Sequence, residues 1–187
     1  MMLEECARYA ELAERAGTKY LRIFGGAVPK TMSHAEGLML AQRHLKQLAK
    51  ICRPHGCKVL LETHDEWSTS MQVNELFSDI GRDDAGVLWD FEHPYRHGES
   101  PEQTWVGLKD RFGHVHIKDS LTVEGKYVPK LLGEGDLPLR EMLGVLRSGN
   151  YAGWVCLESE KRWHPTAPDP EICLPQFAAY MREHSPA

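Results

Sequence analysis

The sequence predicts an α/β fold in which a parallel sheet is built from strands joined by helical crossovers. Short apolar runs with the length of buried strands recur along the chain, and amphipathic stretches with helical periodicity separate them. Successive runs are spaced by roughly 25 to 40 residues, which is the length of one βα unit. About six such units are too few to close an eight-stranded barrel, which typically takes about 250 residues.

Length and composition predict a single domain over residues 1–187. A chain of 187 residues can bury a core, and its 42% hydrophobic and 26% charged content is ordinary for globular domains. The net charge of -5 disfavours nucleic-acid binding, because neutralising phosphates requires a basic face. No apolar stretch approaches the roughly 20 residues of a membrane-spanning helix, and the first residues do not resemble a signal peptide. We therefore expect a cytoplasmic protein that binds neither nucleic acid nor membrane, with reduced cysteines.

Helices are predicted where apolar residues recur at three- and four-residue spacing, at about 3–16, 33–52, 69–80, 100–110, 139–148 and 169–181. Two of these helices have clear start signals. Ser33 with Glu36 three residues later forms a capping box, and Ser100-Pro101-Glu102-Gln103 combines an N-cap, a first-turn proline and a box partner. Gly17 and Gly149 mark helix ends.

Strands are predicted between the helices, at about 20–24, 58–62, 86–90, 112–118, 128–132 and 154–158. Four of them end at or near a side chain that can bind a metal ion, namely Glu62, Asp90, His116 and Glu158. Because parallel strands gather their C-terminal ends on one face, we expect these four side chains to meet there. Three carboxylates and one imidazole, without a thiolate, predict a site for a hard or borderline divalent cation.

Three further residues near the predicted strand ends are candidates for contact with a substrate. His64 lies two positions after Glu62, so both side chains should point the same way along an extended strand. A polar histidine at the rim is the alternative interpretation of His64. His93 follows the strand that ends at Asp90, and Lys118 lies among the predicted acids, which should keep it charged.

A tight polar turn, Gly133-Glu134-Gly135-Asp136, precedes the helix predicted at 139–148. Its backbone N–H groups could hold an anionic group. The pattern by itself favours a purely structural turn.

These segments together resemble the xylose isomerase-like TIM-barrel superfamily, also called sugar phosphate isomerases/epimerases. The matching segments, in order, are Leu21-Arg22-Ile23-Phe24-Gly25-Gly26, Leu60-Leu61-Glu62-Thr63-His64, Asp90-Phe91-Glu92-His93, His114-Val115-His116-Ile117-Lys118-Asp119, Leu132-Gly133-Glu134-Gly135-Asp136 and Leu157-Glu158-Ser159-Glu160. The resemblance implies a parallel (β/α) barrel that lacks its first two strands and first helix. Since exposed strand edges invite pairing with another chain, we expect a homo-oligomer, a dimer or higher.

The resemblance also implies a cofactor and a reaction. One divalent ion, Mn, Mg, Co or Zn, would be held by Glu62, Asp90, His116 and Glu158, and the residue matching His93 lies beside substrate. The reaction would be isomerisation or epimerisation of a small sugar, keto-sugar or polyol through an enediolate. Glu62 and Glu158 would be the catalytic pair, one removing a proton and the other returning it, while His64, His93 and Lys118 bind substrate.

Three alternatives to an isomerase stay open from the sequence. A metal-dependent dehydratase of the inosose or dehydroshikimate type shares the first proton abstraction and then expels water. Cleavage of abasic DNA, found in the endonuclease IV branch of the superfamily, is disfavoured by the acidic balance. The third alternative is an inactive, truncated barrel that binds metal or sugar without turning anything over.

Overall fold

A computed structural model describes residues 2–184 of the chain, so residues 1 and 185–187 of the predicted domain lie outside the described residues. The strands are β1 (Tyr20–Ile23), β2 (Lys58–Glu62), β3 (Ala85–Asp90), β4 (Phe112–Ile117), β5 (Asp119–Val123), β6 (Lys126–Lys130) and β7 (Val155–Leu157). Five of them form one parallel sheet in the order β1-β2-β3-β4-β7, which curls into a half-barrel. The predicted α/β class and the incomplete barrel are therefore confirmed.

Helices alternate with the parallel strands along most of the chain. They are α1 (Met2–Ala16), α2 (His34–Cys52), α3 (Ser70–Leu76), α4 (Glu92–Arg96), α5 (Pro101–Leu108), α6 (Leu139–Ser148) and α7 (Pro170–His184). The capping boxes predicted at Ser33 and Ser100 are both present, and Thr69 forms a third with Gln72. None of the helices within residues 2–184 combines the length and the apolar character needed to cross a membrane.

The central strands β2 and β3 are buried on both faces, as expected for a parallel sheet covered by helices. Val59, Leu61 and Val87 belong to one apolar cluster, and Val115 and Ile117 of β4 belong to a second. Because β2 and β3 are enclosed, the acidic residues at their C-terminal ends, Glu62 and Asp90, are also withdrawn from water.

The strand predicted at 128–132 is not part of the parallel sheet, which has five strands instead of about six. β5 and β6 form a separate antiparallel hairpin, whose turn places Glu124 and Gly125 at positive φ. Two residues at positive φ fit the tight turn that reverses a strand directly, whereas a parallel neighbour needs a crossover of a dozen or more residues. The parallel sheet therefore has β1 and β7 as its edge strands and is three strands short of a closed eight-stranded barrel.

The turn at 133–136 is anchored by a carboxylate of the chain itself. Asp119 is buried and accepts backbone N–H bonds from Gly133 at 2.8 Å, Gly135 at 3.0 Å and Leu137 at 3.4 Å. The anion that these N–H groups hold is thus Asp119, and the turn has the structural role that the sequence favoured. This anchor fixes the hairpin and the start of α6 beside the C-terminal ends of the strands.

The packing around Asp119 predicts opposite effects for two glycine-to-alanine substitutions. A Cβ at Gly135 would collide with the Asp119 carboxylate, whereas a Cβ at Gly144, within α6, would meet nothing within 4 Å. Gly135→Ala should therefore lower the free energy of unfolding by about 2 kcal/mol. Gly144→Ala should raise it by about 0.5–1 kcal/mol, because alanine is the better helix former. Urea unfolding followed by far-UV circular dichroism measures both, and a Gly135→Ala variant as stable as the wild type would contradict the anchor.

Candidate metal centre

Neighbouring strands bring the four predicted metal ligands together. Glu62 and Asp90 end β2 and β3, His116 lies in β4, and Glu158 directly follows β7. The register pairs Asp90 with His116 across β3 and β4, which sets their side chains at the same level of the sheet. One ligand atom from each of the four residues lies within 4.8 Å of the others. The chain therefore has the convergence that a shared cation requires.

The cluster concentrates carboxylates where little water reaches them. The side chains of Glu62 and Asp90 are 0% exposed, and those of His116 and Glu158 are 12% and 15% exposed. Ionised carboxylates in such surroundings are costly unless cations or protons neutralise them. The remaining contacts of the site show how this charge is balanced.

A carboxylate oxygen of Asp90 and one of Glu158 lie within 4.8 Å of each other, and Lys118 Nζ is in contact with both side chains. Burial raises the pKa of Asp90 well above its usual range; the charge of Lys118 opposes this, and the neighbouring Glu158 adds to it. Asp90 Oδ2 has no partner with hydrogen-bond geometry within residues 2–184, although Lys118 Nζ lies 3.1 Å away as an ion pair. A divalent cation would offset the charge of the neighbouring carboxylates and give Asp90 Oδ2 a partner, so these residues fit a metal ion.

Lys118 is the cation at the centre of the acidic groups. Its side chain is 8% exposed, and Nζ lies 3.0 Å from Glu158 Oε2 and 3.1 Å from Asp90 Oδ2. Glu92 and Glu160 each have an oxygen 3.6 Å away. Burial would favour the neutral amine, but the charges of Asp90 and Glu158 outweigh it and raise the pKa of Lys118. Lys118 is therefore an ammonium group directed at the cluster.

His116 lies between the two glutamates. Its Nδ1 is 3.0 Å from Glu62 Oε1 and 3.4 Å from Glu158 Oε1. Burial opposes protonation, but hydrogen bonds to Glu158 and Glu62 outweigh it and raise the pKa of His116 to about 9. For Glu158, burial favours the protonated carboxyl and would raise its pKa. The interactions with His116, Asp90 and Lys118 outweigh burial and lower the pKa of Glu158 well below its usual range.

Arg22, on β1, also reaches the cluster. Its guanidinium donates to Glu62 Oε2, and Nη2 lies 3.0 Å from Glu158 Oε1. The guanidinium carbon lies 4.3 Å from the centre of the Phe24 ring. Arg22 therefore links a glutamate of the neighbouring strand to one at the opposite edge of the sheet.

His64 and His93, both predicted to contact substrate, meet at the rim of the cluster. Their ring centres are 4.1 Å apart, and the Phe24 ring lies 4.8 Å from that of His64. His93 Nε2 lies 3.5 Å from Lys118 Nζ. Burial, followed by the charge of Lys118, lowers the pKa of His93 to about 3, so this imidazole is neutral at pH 7.

A cavity of about 500 Å³ opens beside the cluster. His93, Lys118 and Glu158 line it from the sheet, and Tyr127 and His164 line it from the hairpin and the loop after β7. This volume is in the range of small-molecule sites in proteins.

The sequence interpretation missed three charged residues of the site, namely Arg22, Glu92 and Glu160. Glu92 and Glu160 each follow a predicted ligand by two positions, as His64 and Lys118 do, so this spacing was a usable signal. Arg22 stands within the otherwise uncharged strand Tyr20–Ile23, which was a weaker signal. Its partners lie 40 and 136 residues away in the sequence.

The neutral state of His93 predicts a loss of stability in mild acid. Histidine in the unfolded chain titrates near pH 6.5, whereas His93 in the fold has a pKa of about 3. Between these values the unfolded chain binds the additional proton, so the contribution of His93 to stability falls as the pH decreases below about 6.5, by roughly 2 kcal/mol at pH 5. His93→Gln should lose less stability than the wild type between pH 7.5 and pH 5. Urea unfolding in the presence of a chelator measures this, with His44→Gln as the control, and equal losses in His93→Gln and wild type would refute it.

Comparison with known proteins assigns the family. Residues 2–181 match the family model described as xylose isomerase-like TIM barrel, and the chain belongs to this family. The resemblance inferred from the sequence motifs is therefore confirmed.

Curated relatives in this family include enzymes acting on inososes. The chain is 23% identical to the inosose dehydratase of Clostridium botulinum (strain Alaska E43 / Type E3) in an alignment 161 residues long that covers 75% of this chain and 51% of the relative. It is 28% identical to the inosose isomerase of Halalkalibacterium halodurans in an alignment 125 residues long that covers 61% of this chain and 43% of the relative. The chain thus spans about half the length of the curated relatives it matches.

Solved structures share the fold at low sequence identity. D-allulose 3-epimerase from Methylomonas sp. in complex with D-allulose matches with a TM-score of 0.81 and 17% identity, covering 97% of this chain and 68% of that one. The IOLI protein with a bound zinc atom matches with a TM-score of 0.80 and 19% identity, covering 97% and 69%. At these identities the likeness shows the fold.

Proposed function

We propose that this protein is a divalent-metal-dependent isomerase or epimerase acting on a small sugar, keto-sugar or polyol. The observation that carries the proposal is the buried set of three carboxylates and one imidazole beside a cavity of about 500 Å³. The names of the relatives, which include an inosose isomerase, an inosose dehydratase and a D-allulose 3-epimerase, support a polyhydroxylated substrate.

Glu62, Asp90, His116 and Glu158 would hold one ion of Mn, Mg, Co or Zn, since oxygen-rich sites with one nitrogen accept each of these. When bound, the ion would act as a Lewis acid on the carbonyl oxygen and so acidify the neighbouring C–H group. The zinc atom in the IOLI structure is consistent with this choice of ions.

The two glutamates would transfer the proton. One carboxylate removes the proton from the carbon beside the carbonyl, the C–H electron pair moves toward the carbonyl oxygen, and an enediolate forms. The other carboxylate returns a proton to the same carbon, giving the epimer, or to the neighbouring carbon, giving the isomer. Glu62 and Glu158 suit this task because they come from β2 and from the end of β7, two strands that are not neighbours in the sheet. Their carboxylates could therefore approach a substrate from different sides.

Other groups would stabilise the charge that develops on oxygen. Lys118 is an ammonium within 3.1 Å of both Asp90 and Glu158, so a substrate oxygen at the cluster would also be within its reach. His93 and His64 would bind hydroxyl groups, since the ring nitrogens of an imidazole can form hydrogen bonds with hydroxyls.

A dehydratase is the second candidate, favoured by the inosose dehydratase among the relatives. It shares the proton abstraction and then expels hydroxide from the adjacent carbon, with a proton supplied by Lys118 or by a protonated glutamate. Incubation of candidate ketoses and inososes in D₂O separates the two reactions. Deuterium in a product of unchanged composition supports the isomerase, and loss of water supports the dehydratase. Metal-dependent stabilisation without any turnover would support a chain that only binds.

Substitution of Glu158 tests the catalytic assignment. Glu158→Gln should lower kcat by at least about 100-fold, because it removes both a proton-transfer group and a ligand. Glu134→Gln, in the turn at 133–136, is the matched control and should retain activity. The proposal fails if Glu158→Gln keeps full activity on a substrate that the wild type demonstrably turns over.

We also propose that the chain forms a homodimer or a higher oligomer. β1 and β7 are edge strands whose outer sides have no strand partner within residues 2–184. Unpaired strand edges favour association with another chain. Light scattering coupled to size exclusion should give at least twice the 21.3 kDa of one chain, and a monomer at micromolar concentration would exclude this proposal.

A further inference from the structure

Arg22 contacts both proposed proton-transfer groups but has no part in the proton transfer itself. We propose that Arg22 is a positioning residue that adjusts the charge of the metal centre. It weakens binding of the divalent cation and, in return, stabilises the negative charge that arises when the substrate loses its proton. This inference rests on the proposed function, whose reaction supplies that negative charge.

The geometry places the guanidinium in contact with both glutamates at once. It donates to Glu62 Oε2 through Nε, and Nη2 lies 3.0 Å from Glu158 Oε1. The other oxygen of Glu62 faces His116 Nδ1 at 3.0 Å. Because the guanidinium is planar and its donors are fixed, these contacts set the orientation of the Glu62 carboxylate. The Phe24 ring, 4.3 Å from the guanidinium carbon, supports the arginine from the side.

Arg22 adds one positive charge beyond those that balance the three carboxylates. Glu62, Asp90 and Glu158 carry three negative charges when ionised, a divalent ion offsets two, and Lys118, 3.0 Å from Glu158, offsets the third. The charge of Arg22 is then in excess by one. An enediolate carries one negative charge more than its parent substrate, so the excess positive charge favours it over the substrate.

Two further acids near Lys118 do not cancel this excess. Glu92 is paired with Arg96 at 3.3 Å; Arg96 also pairs with Asp136 at 2.6 Å, but Asp136 is 39% exposed, so solvent screens much of its charge. Glu160 lies 3.6 Å from Lys118, outside hydrogen-bond distance, whereas Arg22 donates hydrogen bonds to both Glu62 and Glu158. Glu62 is also fully buried, and its contact with Arg22 is shielded from water on the glutamate side.

The proposed role predicts opposite changes in two measurable quantities. Loss of the Arg22 charge removes repulsion from the bound cation, so the cation should bind more tightly. The same loss removes stabilisation of the developing negative charge, so turnover should slow. An arginine that only maintained the shape of the site would give weaker cation binding together with slower turnover, since disordered ligands bind metal less well.

The test uses Arg22→Met in the full chain. Titration calorimetry with Mn²⁺ alone, without substrate, should give a Kd about tenfold lower than that of the wild type. At saturating Mn²⁺, kcat for exchange of the substrate proton should fall at least about tenfold, with a smaller change in KM. Arg22→Lys, which keeps the charge, should restore both quantities in part. Arg82→Met, which breaks the exposed ion pair with Asp110, is the matched control and should change neither.

A Kd for Mn²⁺ that is unchanged or higher in Arg22→Met overturns the inference. If Arg22→Met does not fold, Arg22→Gln keeps hydrogen bonding without charge and should show the same tighter binding. The metal measurement also separates this inference from the proposed function. Wild type that binds Mn²⁺ but turns over no substrate contradicts the proposed function, whereas tighter Mn²⁺ binding by Arg22→Met would still support the effect of Arg22 on the cation. Wild type that binds no divalent ion overturns both.

Discussion

The burial of three carboxylates at one end of the sheet is the constraint on which the rest of the site depends. Glu62 and Asp90 have no exposed side-chain surface, and Glu158 has little. Negative charges this close and this dry can persist only if positive charge or protons lie among them. Lys118 and Arg22 provide two positive charges, and His116, whose pKa is raised to about 9, provides a third when it is protonated. A divalent ion bound by these residues would supply positive charge in place of the His116 proton.

The parallel sheet produces this concentration of charge by simple geometry. β2 and β3 are enclosed on both faces, so their backbone must be satisfied by neighbouring strands, and the residues at their ends inherit the same enclosure. The hairpin of β5 and β6 lines the cavity beside the cluster. Asp119 fixes it by accepting N–H bonds from the turn at 133–136, so this further buried carboxylate has a structural use.

The sequence predicted those parts of the molecule that depend on local patterns. The capping boxes at Ser33 and Ser100 involve residues three apart, and the four ligands follow apolar runs whose period reveals a strand. The antiparallel hairpin was not predicted, because β5 follows β4 after a single residue. The sequence of this segment does not show where the pairing changes from parallel to antiparallel. The place of Arg22 in the site was not predicted for a different reason. Its partners lie on other elements, and no local pattern reports which charges meet in space.

The open edges of the sheet affect the proposed metal ligands and the enclosure of a substrate differently. Each of the four proposed ligands, and Lys118 with them, comes from β2, β3, β4 or the segments directly after β4 and β7, so this chain supplies the whole proposed ligand set. Only Arg22 belongs to β1, an edge strand, and its side chain is 37% exposed. Binding of the proposed cation would therefore depend on residues of this chain, whereas enclosure of a substrate would also depend on what lies against the sheet edges. Arg22 would link the two, because it contacts Glu62 and Glu158 from an edge strand and is itself partly exposed.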